Sequence, residues 1–169
     1  MQKLFIPDSF EAPRFLETNY FHFRVLDDAV AQLDYEAVMA SQKRLKGIFG
    51  PESDWPESDM TIEENIASLK VHKQEFESRE AFAYSVFSDS KSTCLGSVYI
   101  DPSQSPNYEC EVYLWVRDDS VTLDKELYQT VLNWLQEHWP FSKVAFPGRN
   151  ITWKDWAKEP PVAGLLSPL

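Results

Sequence analysis

Residues 20–26, "YFHFRVL", alternate apolar and polar positions with period two, the pattern of a half-buried β-strand. Three further strand-like runs follow later in the chain: "AFAYSVFSD" (81–89), "TCLGSVYIDP" (93–102) and "YECEVYLWV" (108–116). "SDSKS" suits a hairpin turn between the first two of these, and "DPSQSPN" suits a longer loop. Helical spacing rules elsewhere. Asp27 and Asp28 precede a helix that the sequence carries to a fraying end at Gly47 and Gly50. Thr61 and Glu64 match a capping box, and Ile62, Ile66, Leu69 and Phe76 then recur on one helical face. Leu123, Leu127, Val131 and Leu135 form another stripe, which ends near Pro140 because proline disfavours helix in the residue before it. "SKVAFP" (142–147) reads as a last strand. The predicted order is β-α-α-β-β-β-α-β. It describes an α/β (α+β) domain with a mixed, mostly antiparallel sheet and helices on both faces. One domain is expected over 1–169, with 1–19 as an N-terminal arm and 148–169 as an irregular tail holding at most one helical turn.

Composition narrows the chemistry. At 169 residues the chain suits a single domain with a real core, and 43% hydrophobic content belongs to a globular protein. Sixteen basic against 27 acidic residues give a net charge of −11. That sign repels nucleic acid and anionic membranes, whose binding relies on Lys and Arg. It suits a cationic amine or a basic partner, and it keeps a protein soluble. Pro7 and Asp8 interrupt the N-terminus where a signal peptide needs an apolar run, and no stretch approaches membrane-spanning length. Cys94 and Cys110 lie in strand-like runs without CxxC or Cys/His spacing, so reduced, buried thiols and a cytoplasmic location are expected. His22, His72 and His138 stand far apart on different elements, and no metal centre is expected. Neither a G-x-S-x-G nor a G-x-x-x-x-G-K-[ST] motif occurs.

The strand-to-helix junction "VRDDSVTLDKELYQTVLNWL" (116–135) raises the main chemical question. Helix N-termini with free N–H groups hold anions, yet this one presents Asp118, Asp119 and Asp124 and no glycine.

The element order, with the longest strand feeding this helix, resembles the GNAT superfamily of acyl-CoA-dependent acyltransferases over residues 20 to 147. "FRVLDDAVAQLDYEAV" is similar to the family's first strand and substrate-side helix, and "LGSVYIDP" to its third strand, with Gly96 where glycine is frequent. "CEVYLWV" and "LDKELYQTVLNWL" are similar to the strand and helix around its cofactor loop. "DYEAVMAS", "TIEENIASLKVHKQEF" and "AFAYSVF" together resemble a little-characterised bacterial branch of such proteins. The resemblance implies acetyl-CoA or another acyl-CoA as cofactor and a small-molecule or peptide amine as acceptor. A homodimer is the self-assembly to test.

In the family, a loop of the form R/Q-x-x-G-x-G/A wraps the pyrophosphate with successive N–H groups, since glycine accepts positive φ and leaves no Cβ in the way. The loop here is shorter, and Asp124 falls where the last glycine would stand. A carboxylate about 4 Å from a phosphate costs about 1 kcal/mol in water and several times more when half-buried. Asp124 also reads more plainly as a dipole-complementing residue behind a Thr122 N-cap.

By the same resemblance, the candidate site residues are Glu111 as the base and Tyr128 as a proton donor, with Trp115, Val116, Arg117, Thr122 and Lys125 meeting the cofactor. The backbone N–H groups from Trp115 to Arg117 would hold the thioester oxygen. Tyr113, Arg149 and Trp153 are the candidate ligand contacts. Alternation places Glu109, Glu111, Tyr113 and Trp115 on one face of their strand and Cys110, Val112, Leu114 and Val116 on the other. Catalysis requires Glu111 to face a cleft, and a solvent-facing strand carboxylate is the plainer expectation. Family members commonly carry a Tyr helix where this chain has "PGRNITWKDW", whose indoles are expected to cover an open sheet edge.

Overall fold

The computed structural model of the chain describes residues 4–162. Six strands form one sheet in sequence order: β1 (Phe15–Glu17), β2 (Phe21–Val25), β3 (Phe82–Ser88), β4 (Cys94–Pro102), β5 (Cys110–Val116) and β6 (Val144–Ala145). β1 to β5 pair antiparallel, and β6 joins parallel to β5. The helices are α1 (Ala31–Ala40), α2 (Gln42–Leu45), α3 (Ile62–Glu77), α4 (Asp124–His138) and a single turn, α5 (Trp153–Trp156).

Alternation along the strands divides the core in two. Phe21, Phe23, Tyr84, Val98, Ile100, Val112 and Leu114 face α4, which lays Leu127, Val131, Trp134 and Leu135 against them. Ala83, Phe87, Tyr99, Tyr113 and Trp115 face α1, α2 and α3, where Ala37, Val38, Leu45 and Leu69 cover them. Burying side chains of this size stabilises by about 1.5–3 kcal/mol each. Gly96 makes room for the β4–β5 pairing, because a Cβ there would stand 1.8 Å from the carbonyl oxygen of Trp115. Only glycine permits that approach.

Three sequence expectations change. Part of the arm is a strand, since Phe15–Glu17 pairs with β2 as β1. The first helix breaks at Ser41, whose φ of −117° and ψ of 10° leave the helical region. Ser41 is fully buried, and its hydroxyl accepts the Asp118 N–H at 2.9 Å, a long-range tie that has no local signature. The last strand shrinks from 142–147 to two residues, because the chain leaves the sheet immediately after Ala145. The capped helix starts as expected, with Thr61 Oγ accepting the Glu64 N–H at 3.1 Å. The tail yields its one helical turn in α5, and residues 163–169 lie outside the described part.

Candidate active site at the split between β5 and β6

β5 and β6 pair only at Cys110–Val144 and Glu111–Ala145, after which they separate. β5 runs on to Val116 with one edge unpaired by sheet. The Arg117 N–H donates to the Leu95 carbonyl at 2.7 Å, which sets the alternation of the β4–β5 ladder. Odd-numbered residues of β5 therefore turn their backbone groups to β4, and Leu114 and Val116 turn theirs to the split. This corrects the expected oxyanion donors. Trp115 and Arg117 have their N–H groups in the ladder, and only Val116 of the three faces the open edge.

Both open-edge carbonyls are taken by arginines from distant elements. Arg149 donates Nη2 to the Leu114 carbonyl at 3.2 Å, and Arg44 on α2 donates Nη2 to the Val116 carbonyl. Each guanidinium is also held by an aspartate on the α4 side. Arg149 grips Asp124 through two bonds of 2.7 and 2.9 Å, and Arg44 reaches Asp118 at 2.7 Å. Arg149 additionally lies over the Tyr128 ring, 5.5 Å from its centroid. Thus Asp118 and Asp124, which read in sequence as free acids at a helix start, are the counter-charges of two clamps across the split.

Thr122 is not the N-cap of α4. It lies within a 3-10 turn over Asp118–Leu123, and Leu123 occupies the cap position with no side-chain hydrogen bond. The turn's N–H groups are engaged: Ser120 donates to the Arg117 carbonyl, Asp124 to the Val121 carbonyl and Asp118 to the Ser41 hydroxyl.

A cavity of about 310 Å³ opens at the split, and Tyr113, Arg149, Trp153, Gly148, Arg44 and Lys46 are among its walls. Its charged lining residues are all basic, in a chain of net charge −11. The indole of Trp153 stacks on Tyr113 at 6.3 Å and 10°. Gly148, at φ 84°, lets that indole approach within 2.6 Å of where a Cβ would be.

Glu111 departs from its plainer expectation: it is 3% exposed and not solvent-facing. Its carboxylate accepts the Gln104 N–H at 2.7 Å and the Tyr113 hydroxyl. Burial pushes its pKa up, against the pull of those two bonds. Across the β4–β5 ladder sits Asp101, which burial first, then Glu111 and Glu75, raise to about 7. The sequence reading missed Asp101, although its position opposite Glu111 follows from the register. It also missed Arg44, for which no local signal exists.

The remaining candidates scatter. Tyr128 packs with Phe146 on the α4 side of the sheet, on the opposite face from Glu111, so these two do not come together. The Trp115 indole donates to the Tyr99 hydroxyl at 3.1 Å within the core. Arg117 pairs with Asp119 at 2.8 Å, and Lys125 is exposed on α4. His72 packs on Tyr99, and burial lowers its pKa. Cys94 and Cys110 are free and buried. Among the described residues no helix is long and apolar enough to cross a membrane, and no group of three or more His, Cys, Asp or Glu side chains is placed to hold a metal.

No family model and no curated protein matches the sequence. Solved structures do match the fold. The ribosomal-protein-S5-alanine acetyltransferase of Vibrio fischeri aligns with a TM-score of 0.62 at 14% identity, over 80% of this chain and 75% of that one. A Vibrio cholerae protein provisionally described as a ribosomal-protein-serine acetyltransferase gives 0.62 at 18% identity, over 82% and 73%. RimL, a ribosomal L7/L12 alpha-N-protein acetyltransferase, gives 0.56 at 13% identity, over 72% and 65%. The fold is the GNAT fold.

Within the GNAT fold the implied cofactor is an acyl-CoA, and the donor set at the split bears on whether it fits. The glycine-loop mode does not, because the N–H groups of Asp118, Ser120 and Asp124 are engaged. Side chains fit instead, since Arg44 and Arg149 bring two guanidinium groups to the start of α4.

Proposed function

We propose that this GNAT-fold chain transfers an acyl group from an acyl-CoA to an amine held in the cavity at the split. The buried Glu111–Tyr113 pair carries this reading, because Tyr113 lines the cavity and its hydroxyl donates directly to Glu111. Acyl-CoA would supply the activated acyl carbon, with coenzyme A leaving as a thiolate that takes its proton from solvent. Tyr113 accepts the proton of the attacking amine as it hands its own to Glu111, so Glu111 acts as base without touching the substrate. Burial favours this role by raising the carboxyl towards the range where proton uptake from an amine is effective. Trp153, stacked on Tyr113, walls the acceptor side and excludes water from the relay. Arg44, Arg149 and Lys46 would meet the phosphates. The likeness to ribosomal-protein acetyltransferases supports a peptide amine as acceptor, with a small amine as the alternative.

The clamps favour a second reading, ligand binding without transfer, because they fill the usual seat of the pyrophosphate. Thiol release from acetyl-CoA with a panel of peptide and small amines separates the two. Transfer predicts turnover that Glu111→Gln and Tyr113→Phe each reduce by about 100-fold or more with acetyl-CoA affinity unchanged. Turnover insensitive to both substitutions removes the relay, and no turnover with any amine of the panel leaves the second reading.

A further inference from the structure

We propose that Arg44 and Arg149 are this chain's phosphate-gripping residues and that Asp118 and Asp124 latch them while no phosphate is bound. The inference rests on the acyl-CoA reading above and adds how its anionic end is held.

The two clamps share one construction. Each guanidinium is anchored to an open-edge carbonyl of β5, Leu114 for Arg149 and Val116 for Arg44, and faces an aspartate of the segment that starts α4. The anchor fixes the arginine independently of its acidic partner. A carboxylate and a phosphate present the same pair of oxygens to a guanidinium, so one replaces the other without the arginine moving. The aspartates are free to leave: their side chains are 49% exposed at Asp118 and 29% at Asp124.

Lys46 joins the two clamp arginines in the cavity wall as a third cation. The charged residues lining the cavity are all basic although the chain carries a net charge of −11. Three backbone donors of the turn, at Asp118, Ser120 and Asp124, are engaged, and the two guanidinium groups stand beside them as side-chain donors. The displaced aspartates stay close and repel the bound phosphate. The latch therefore lowers affinity for every phosphate ligand and rejects weak anions that cannot displace the aspartates.

Isothermal titration with coenzyme A, and with pantetheine as the phosphate-free control, tests this. Asp124→Asn and Asp118→Asn should each tighten coenzyme A by about tenfold, the equivalent of about 1.4 kcal/mol, with pantetheine unchanged. Arg149→Lys, which keeps the charge but loses the fork, should weaken coenzyme A by a similar factor and leave pantetheine alone. Thermal unfolding without ligand confirms that each variant is folded. Coenzyme A affinity unchanged in the double variant D118N/D124N, or a change shared by pantetheine, overturns the latch and leaves the acyltransferase reading standing. Absence of coenzyme A binding to both wild type and the double variant removes the acyl-CoA reading and the latch together.

Discussion

α3 and α4 both begin with acidic residues in their first turn, yet the two starts are built differently. α3 is closed locally: Thr61 caps it, and Glu63 and Glu64 stand in solvent. α4 has no side-chain cap, and its first acid, Asp124, is held by Arg149 from 25 positions further along the chain. An acidic side chain in the first helical turn thus complements a dipole in one place and neutralises a guanidinium in the other. A helix start with a side-chain cap is complete by itself. One that lacks it and points its acid at a cleft is a part of that cleft.

The sharpest attack on this contrast is Arg149→Met. It leaves Asp124 half-buried without its cation and the Leu114 carbonyl without its donor, and should cost about 2 kcal/mol. The urea midpoint should fall with an unchanged slope, and a loss of only a few tenths would mean the clamp contributes as little as a surface pair. A third carboxylate extends the comparison, for Asp101 is half-buried and its pKa reaches about 7 with no cation among its causes. Because its folded pKa lies above the ordinary 3.8, the folded state holds the proton more tightly than the unfolded chain. Stability therefore falls as pH rises from about 4 to about 7 and is flat above. Asp101→Asn should gain about 1–2 kcal/mol at pH 8 after allowing for solvent screening, and nothing near pH 4, in paired thermal scans. At the capped helix, Thr61→Ala should lose about 1 kcal/mol, whereas Thr122→Ala should stay within about 0.5 kcal/mol. Equal losses at the two threonines would erase the distinction between the helix starts. Glu63→Gln should cost about 0.3–1 kcal/mol at low salt, and the cost should shrink at 1 M salt.

Local signals in the sequence were sufficient where the deciding interaction is local. Thr61 and Glu64 are three residues apart, the hairpin between β3 and β4 is closed by the Ser88 N–H donating to Thr93, and the apolar stripe of α4 repeats within a turn. Alternation put Tyr113 and Trp115 on one face of β5, and the structure packs that face on the α1–α3 side. Long-range closure is where reading failed. Nothing near Ser41 announces a bond to Asp118, 77 positions away, nor does Arg44 announce one to the carbonyl of Val116. Glu111 looked like a solvent-facing carboxylate because period two distinguishes faces but not which face a helix covers. Tyr128 looked like a partner for Glu111 because sequence proximity hides the sheet that stands between them.

The brevity of β1 and β6 has a consequence for assembly. The sheet's two outermost strands span three and two residues, so each presents very few ladder groups to a neighbour. A second chain adding itself as a further strand would find almost no template at either margin. Among the described residues, growth of the sheet from one copy into the next therefore has little to build on at these two margins.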